Sequence, residues 1–323
     1  MVRNWLNFIL LHYFTVNVYN SIDNFPGTAN AVVTIGTFDG VHIGHQQIIR
    51  NLRKLAAETH GETVLLTFFP HPRMVLQPDD NDLKLITTMV EREELLRSFG
   101  IDHLIIQPFD KEFSRISATE FVRDQLMQKI GMKTLVIGYD HHFGRNREGS
   151  YKDLEEMAPV YGFRLEEINE QVINHIAVSS TKVRKALLEG DIDSANQLLG
   201  HRFSFRGKVV MGDKIGRTLG FPTANIEIPE AYKLVPAEGI YAVQIRIGQQ
   251  LKKGMLYIGT RPVVNGKSLR IEVNIFEFDQ EIYNQEIQVM FVSRIRGDLP
   301  FTDINALKEK MKEDKVIATK LLS

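Results

Sequence analysis

A strand that closes on a glycine turn and reopens as a helix constrains this chain more than any other feature: Ala31-Val-Val-Thr-Ile-Gly-Thr-Phe-Asp-Gly-Val-His-Ile-Gly-His45. The apolar run Ala31 to Ile35 predicts a buried strand. Gly36 and Gly40 let the backbone turn tightly and come close to a ligand. His42 and His45 then open an amphipathic helix, whose first N–H groups are unpaired and carry a partial positive charge that favours phosphate. Two imidazoles at that point aim further donors at the same anion. The segment therefore reads as a phosphate-binding turn able to stabilise charge on a phosphorus centre. A zinc pair fits less well, because helical ligands usually stand four apart and the chain has no cysteine.

In this strand–glycine–helix context the two histidines resemble the His-x-Gly-His signature of the nucleotidylyltransferase superfamily. At 323 residues the chain predicts two domains. A hydrophobic fraction of 43% and a charged fraction of 24% are those of a soluble globular protein. A net charge of −1 supplies no global field toward nucleic acid or anionic lipid. The lack of cysteine excludes disulfides, thiolate catalysis and cysteine-ligated metals, and fits a reducing compartment. Residues 1–16 include the apolar stretch Trp5 to Phe14, too short and too interrupted by Asn7 and His12 to span a bilayer. They read as an N-terminal extension of a cytoplasmic protein.

The first half alternates strand and helix. Helix 42–60 follows the turn, and Thr63 to Phe69 is a strand broken by Pro70. Thr88-Met-Val-Glu91 and Ser117-Ala-Thr-Glu120 are capping boxes, opening helices that stop at Gly100 and Gly131. Strands are expected at 101–106, 134–138 and 163–168, with a helix over 151–161. This alternation predicts an α/β fold with a doubly wound parallel sheet. Its ligands belong at the carboxyl ends of the strands, so the loops after Ile35, Phe69 and Ile137 should converge. Residues 180–200 read as two short helices joined at Gly190-Asp191. After Gly200, alternating strands at 204–211, 239–247, 253–258, 269–278 and 286–292, with the turn Asn265-Gly266, predict a small antiparallel barrel. A terminal helix near 302–320 has Thr302 and Asp303 as candidate caps. The expected division is 17–186 for the sheet domain, 187–200 for a linker helix and 201–323 for the barrel.

Three further segments carry chemistry. Gly138 to Gly149 holds Asp140, His141, His142, Arg145 and Arg147 in a loop after a sheet strand, a place where ligand contact is expected. Val178-Ser-Ser-Thr-Lys-Val-Arg184 sets Ser179, Ser180 and Thr181 at a helix start. One of these is an N-cap, and the surplus hydroxyls with Lys182 and Arg184 suit a triphosphate tail. Gly207 to Asn225 contains Gly212, Gly216 and Gly220, which would let a strand pair curl over a phosphate chain. Thr223 and Asn225 offer oxygens suited to Mg²⁺.

Five stretches together resemble the bacterial bifunctional riboflavin kinase/FMN adenylyltransferase (FAD synthetase) family over nearly all of residues 18–323. They are Gly-Thr-Phe-Asp-Gly-Val-His-Ile-Gly-His (36–45), Thr-Phe-Phe-Pro-His-Pro (67–72), Gly-Tyr-Asp-His-His-Phe-Gly (138–144), Ser-Ser-Thr-Lys-Val-Arg (179–184) and Gly-Arg-Thr-Leu-Gly-Phe-Pro-Thr-Ala-Asn (216–225). The resemblance implies riboflavin phosphorylation to FMN in the barrel, and adenylyl transfer from ATP to FMN, with release of pyrophosphate, in the sheet domain. It implies ATP, riboflavin, FMN and FAD as substrates and products, with Mg²⁺ as cofactor.

For the adenylyl-transfer site it points to Gly36, Thr37, Phe38, Asp39 and Gly40 around the ATP, His42 and His45 on its phosphates, and Asp140 near the flavin phosphate or a Mg²⁺. Ser180, Thr181 and Arg184 would hold the departing pyrophosphate. For the kinase site it points to Gly212, Lys214, Gly216 and Arg217 as nucleotide contacts, Thr223 and Asn225 as metal ligands, and Glu272 as the base. Departures from the commonest pattern include Val273-Asn274 where Thr-His is frequent, Val263 for Thr, Asn284 for Gly, Arg296-Gly-Asp298 for Arg-x-Glu and His141 for Phe. The alternatives are a nucleotidylyltransferase for another phosphorylated substrate, and one whose barrel only binds flavin, regulates or binds RNA. Neither nucleic acid nor membrane is expected as a partner, and the protein is expected to be a monomer or weak homo-oligomer.

Overall fold

The computed structural model describes residues 15–77, 83–138, 142–168, 178–212, 216, 220–263, 266–301 and 303–323. The chain forms two compact units, Met1–Leu83 with Arg92–Ala177 and Lys84–Glu91 with Val178–Ser323.

In the first unit six strands form one sheet in the order β1-β4-β3-β2-β5-β6. They are β1 (Asn17–Tyr19), β2 (Ala31–Ile35), β3 (Thr63–Phe69), β4 (His103–Pro108), β5 (Met132–Gly138) and β6 (Arg164–Ile168). Every pairing is parallel, including that of β1, which the sequence pattern does not reveal. All five residues of β2 are buried, as expected of a strand covered on both faces.

Alternation divides the apolar residues between two cores. Val32, Leu65, Leu104 and Val136 face α1 (Ile43–Glu58), which brings Ile49, Leu52, Leu55 and Ala56 at helical spacing. Val33, Val64, Leu66, Ile105 and Ile137 belong to the opposite core with Phe121, Val122, Leu126 and Ile130. Full burial of each larger aliphatic side chain contributes about 1.5–3 kcal/mol.

The other helices of the first half are α2 (Pro72–Leu76), α3 (Met89–Ser98), α4 (Ala118–Glu120) and α5 (Tyr151–Tyr161). α4 opens with the expected Ser117–Glu120 capping box, but its turns widen to π geometry over Phe121–Ile130 before Gly131 ends it in the left-handed region. From β2 the chain builds outward through β3 and β4, then returns to β2's other side with β5 and β6. The carboxyl end of β2 thus lies at the point where the strand order reverses, where such sheets bind ligands.

The second unit is a closed barrel in the order β10-β11-β8-β7-β12-β9. Its strands are β7 (Ser204–Val210), β8 (Ala224–Glu227), β9 (Gly239–Ile247), β10 (Gln250–Val263), β11 (Gly266–Ile275) and β12 (Glu286–Arg296), all paired antiparallel. β8 begins at the end of the segment read as a glycine-rich binding run. Phe205, Tyr241, Val243, Leu256, Val273, Val289 and Phe291 fill the interior. The terminal helix α8 (Ile304–Leu321) is capped by Asp303 and lays Ala318 against Phe221, Ala242 and Met255. Arg296 grips the buried Asp314 of this helix through Nη2 at 2.8 Å and Nε at 3.1 Å.

The helices α6 (Ser180–Glu189) and α7 (Ile192–Leu199) differ from the expected division at residue 186 and from a linker over 187–200. Val183, Leu187, Ile192, Ala195 and Leu199 are all buried in the barrel's own core, so neither helix is a free connector. Residues 84–91 also belong here. Lys233, with its side chain fully buried, donates to Glu91 Oε2 at 2.6 Å, to the Ile86 carbonyl at 2.6 Å and to the Ser204 carbonyl at 2.8 Å. An ammonium so buried needs all three acceptors, and two come from this short segment.

Candidate active sites

In the first unit the turn after β2 carries the expected residues. Phe38, Gly40 and Val41 all adopt positive φ (47°, 84° and 40°), a conformation that strains Phe and Val but not Gly. The strain is held by burial, since Phe38 is 2% exposed and Val41 fully covered. Gly36 donates its N–H to the Leu66 carbonyl of β3 at 3.0 Å, and a Cβ there would press on the Phe38 ring. The Thr37 carbonyl accepts from the Thr67 hydroxyl at 3.3 Å. Asp39 is wholly buried, with Arg92 Nη2 of α3 3.4 Å away and equally buried. Arg92 is absent from the sequence reading, because a charged residue in the first turns of a helix normally signals only a solvated face.

His42 is the N-cap of α1, and its Nδ1 accepts the His45 N–H at 3.3 Å. An accepting Nδ1 carries no hydrogen, so the neutral ring keeps its proton on Nε2. The His42 and His45 rings stack with centroids 3.6 Å apart, and Phe38 lies 4.7 Å from His45 on centroids. Burial, then His42, then Arg92 hold the His45 imidazole well below its ordinary pKa, so it is neutral near pH 7. His45 Nδ1 is buried without a hydrogen-bond partner.

Sequence reading also missed a row of aromatic rings at the carboxyl ends of β3 and β4. Phe68, Phe109 and Phe113 stand 5.7–5.9 Å apart on centroids, and Phe113 continues to Phe121 and Phe143. Five phenylalanines spread over residues 68–143 show no common spacing that would mark them as one surface. Asp140 lies outside the described residues. Ser180, Thr181 and Arg184 lie at the amino end of α6, in the second unit. Ser179 is the N-cap there, accepting from the Lys182 N–H, and Arg184 Nε donates to the Lys84 carbonyl at 3.0 Å.

In the barrel, Glu272 of β11 pairs in register with Asn225 of β8. The Thr223 hydroxyl donates to Glu272 Oε2 at 3.0 Å, and Arg270 Nη1 donates to Oε1 at 2.9 Å. Glu272 points away from the core that Ile271 and Val273 enter, yet its side chain is only 18% exposed. Gly212 lies against the Asn225 side-chain amide, where any Cβ would collide with it. The Gly216 carbonyl accepts from the Phe221 N–H at 2.8 Å, and a Cβ on Gly216 would meet the Phe221 carbonyl and Thr223 Oγ1. The structure therefore brings Gly212, Gly216, Thr223, Asn225 and Glu272 together. Lys214 and Arg217 lie outside the described residues.

A cavity of about 260 Å³ opens beside Thr223, lined by Val209, Pro222, Val273, Ile275, Phe278 and Tyr283 among others. Tyr257, opposite Glu272 in register, donates to Asp298 at 3.3 Å, and burial first, then Asp298, pushes its hydroxyl up to about 12.

Residues 26–182 match the FAD synthetase family model and residues 199–322 match the riboflavin kinase model. Bifunctional riboflavin kinase/FMN adenylyltransferase from Listeria monocytogenes is 35% identical over 287 residues, 88% of this chain and 90% of the relative. Its namesake from Buchnera aphidicola is 38% identical over 296 residues, 90% and 94% of the two chains.

This chain belongs to the bifunctional riboflavin kinase/FMN adenylyltransferase family.

The relative from Escherichia coli K12 is 34% identical over 89% of this chain. A crystal structure from Streptococcus pneumoniae, described as a macrolide-efflux protein, shares the fold of both units. Its TM-score is 0.84 at 30% identity, covering 94% of this chain and 98% of that one. Among the described residues of the present chain, no helix is long and apolar enough to cross a membrane.

Proposed function

We propose that the barrel transfers the γ-phosphoryl group of ATP to riboflavin, and that the sheet unit transfers the adenylyl group of a second ATP to the resulting FMN, both in the cytoplasm. The observation that carries the kinase half is the hydrogen bond between Thr223 and Glu272, 49 residues apart, with Asn225 opposite Glu272 in register.

The riboflavin primary hydroxyl attacks the γ-phosphorus, its proton passes to Glu272, and ADP leaves. Glu272 is suited to the task because Thr223 and Arg270 hold its two oxygens in a fixed plane. The cavity beside Thr223, whose apolar walls are joined by Asp279, Gln280 and Glu281, suits a flat aromatic base with polar edges. Thr223 and Asn225 offer a hydroxyl and an amide oxygen, a donor set that fits Mg²⁺. Among the described residues there is no group of three or more His, Cys, Asp or Glu that could hold a metal. When bound, Mg²⁺ would neutralise charge on the phosphate oxygens.

In the sheet unit the FMN phosphate attacks the α-phosphorus in line and pyrophosphate leaves, with no covalent intermediate. His42 presents Nε2–H, and with the α1 amino end and His45 it stabilises the charge that grows on the α-phosphate. The ring row Phe68–Phe109–Phe113 suits stacking with the isoalloxazine. Ser180, Thr181 and Arg184 keep their expected pyrophosphate-holding role on sequence pattern alone.

Incubation with riboflavin, ATP and Mg²⁺, followed by chromatography of the flavins, tests the reading. FMN and FAD together are expected, and neither product when Mg²⁺ is chelated. FAD formed without any FMN from the barrel, or products undiminished by the chelator, would contradict it.

A further inference from the structure

Asn274 stands on β11 two residues beyond Glu272, so both side chains leave the same face of the strand. It is buried, 5% exposed, and its Nδ2 donates to the Pro222 carbonyl at 2.7 Å. Glu272 accepts from the very next residue, Thr223, at 3.0 Å. One strand therefore grips two successive residues of the turn that leads into β8. The Pro222 carbonyl belongs to the planar peptide that ends at the Thr223 nitrogen, so fixing that oxygen fixes the plane from which the Thr223 side chain departs. The Phe221 N–H, bonded to Gly216, secures the start of the same turn. In the resemblance to the family, Asn274 stands only as a departure from a frequent histidine.

We propose that Asn274 is a positioning residue for riboflavin phosphorylation, holding the Pro222–Thr223 peptide so that the Thr223 hydroxyl stays within reach of Glu272. The proposal rests on the reading of Glu272 as the base. What the position requires is a buried N–H donor directed at Pro222, and histidine supplies one as asparagine does. An apolar side chain of similar size leaves the carbonyl unpaired and frees the turn. Displacements of about 1 Å at a reacting centre cost on the order of 100-fold in rate.

The test uses the full chain with Asn274→Leu, Asn274→His and Glu272→Gln. Riboflavin kinase kcat and KM, adenylyl transfer to supplied FMN, and the melting temperature are measured for each. Asn274→Leu is expected to lower kinase kcat about 10- to 100-fold while KM for ATP and riboflavin moves less than about threefold. Adenylyl transfer should be unchanged, and Asn274→His should restore kcat to within about threefold of the parent.

Full kinase activity in Asn274→Leu overturns the proposal. So does a folded Asn274→His that is as impaired as the leucine variant. Should Asn274→Leu fail to fold, Asn274→His decides alone: retained kcat supports the donor role and lost kcat refutes it. Glu272→Gln separates the two levels of the argument. If that variant still makes FMN, the base assignment falls and takes this proposal with it. If it is inactive while Asn274→Leu is fully active, the base stands and only the role of Asn274 is refuted.

Discussion

His42 and His45 stack face to face, their centroids 3.6 Å apart and their planes inclined by 14°. Burial opposes a charge on His45, and the stacked His42 imidazole opposes it further. His45 accordingly titrates below its ordinary value of 6.5 in the folded chain. As pH falls from about 6.5 toward the folded value, the unfolded chain gains a proton at His45 that the folded chain does not, so stability declines over that window and is fully present above it. The melting temperature of the parent should fall more between pH 7 and pH 5 than that of His45→Gln. Equal slopes would show that His45 is not depressed.

Gly212→Ala should separate the two activities. A Cβ at this position meets the Asn225 amide, which must swing away from its place opposite Glu272. FMN formation is expected to fall by about 10-fold or more, as for other misplaced site groups. Adenylyl transfer to supplied FMN should be unaffected. Steady-state kinetics of both half-reactions check this.

Lys233→Met breaks a buried ion pair with Glu91 and strips two carbonyls of their donor. Removing one partner of such a pair costs about 3–5 kcal/mol. Chemical denaturation should show that loss, and adding Glu91→Gln to Lys233→Met should recover part of it, because the uncompensated negative charge is then gone while a side-chain oxygen remains for the Thr88 and Arg206 N–H groups that Glu91 also accepts.

The local devices were legible in the sequence for physical reasons. Gly36, Gly40 and Gly216 mark backbone that must turn or pack closely, and the Thr88–Glu91 and Ser117–Glu120 boxes act within three residues. Alternation gave β9 its limits of Gly239 and Ile247. β10 runs from Gln250 to Val263, beyond the expected 253–258, because β9 and β11 pair with it on either side and extend a strand that propensity alone would end early. Long-range partners left no local trace. Lys233 finds Glu91 across 142 positions, and Arg92 lies beside Asp39 across 53. The start of α6 reads as part of the sheet domain, and 187–200 as a linker, because an amphipathic pattern does not say which core it faces. Glu272 was found only through the family motif, since by alternation it is one more residue on the outer face of a strand.

The account's central claim is that two separate constellations perform two successive transfers, and complementation between variants tests it most directly. His45→Ala, given riboflavin and ATP with Mg²⁺, should accumulate FMN and form FAD about 10²–10³-fold more slowly than the parent. Glu272→Gln should make no FMN from riboflavin yet convert supplied FMN to FAD at the parental rate. Mixed together, the two variants should make FAD from riboflavin. Loss of both activities in either variant, or a mixture that yields no FAD, would contradict the account.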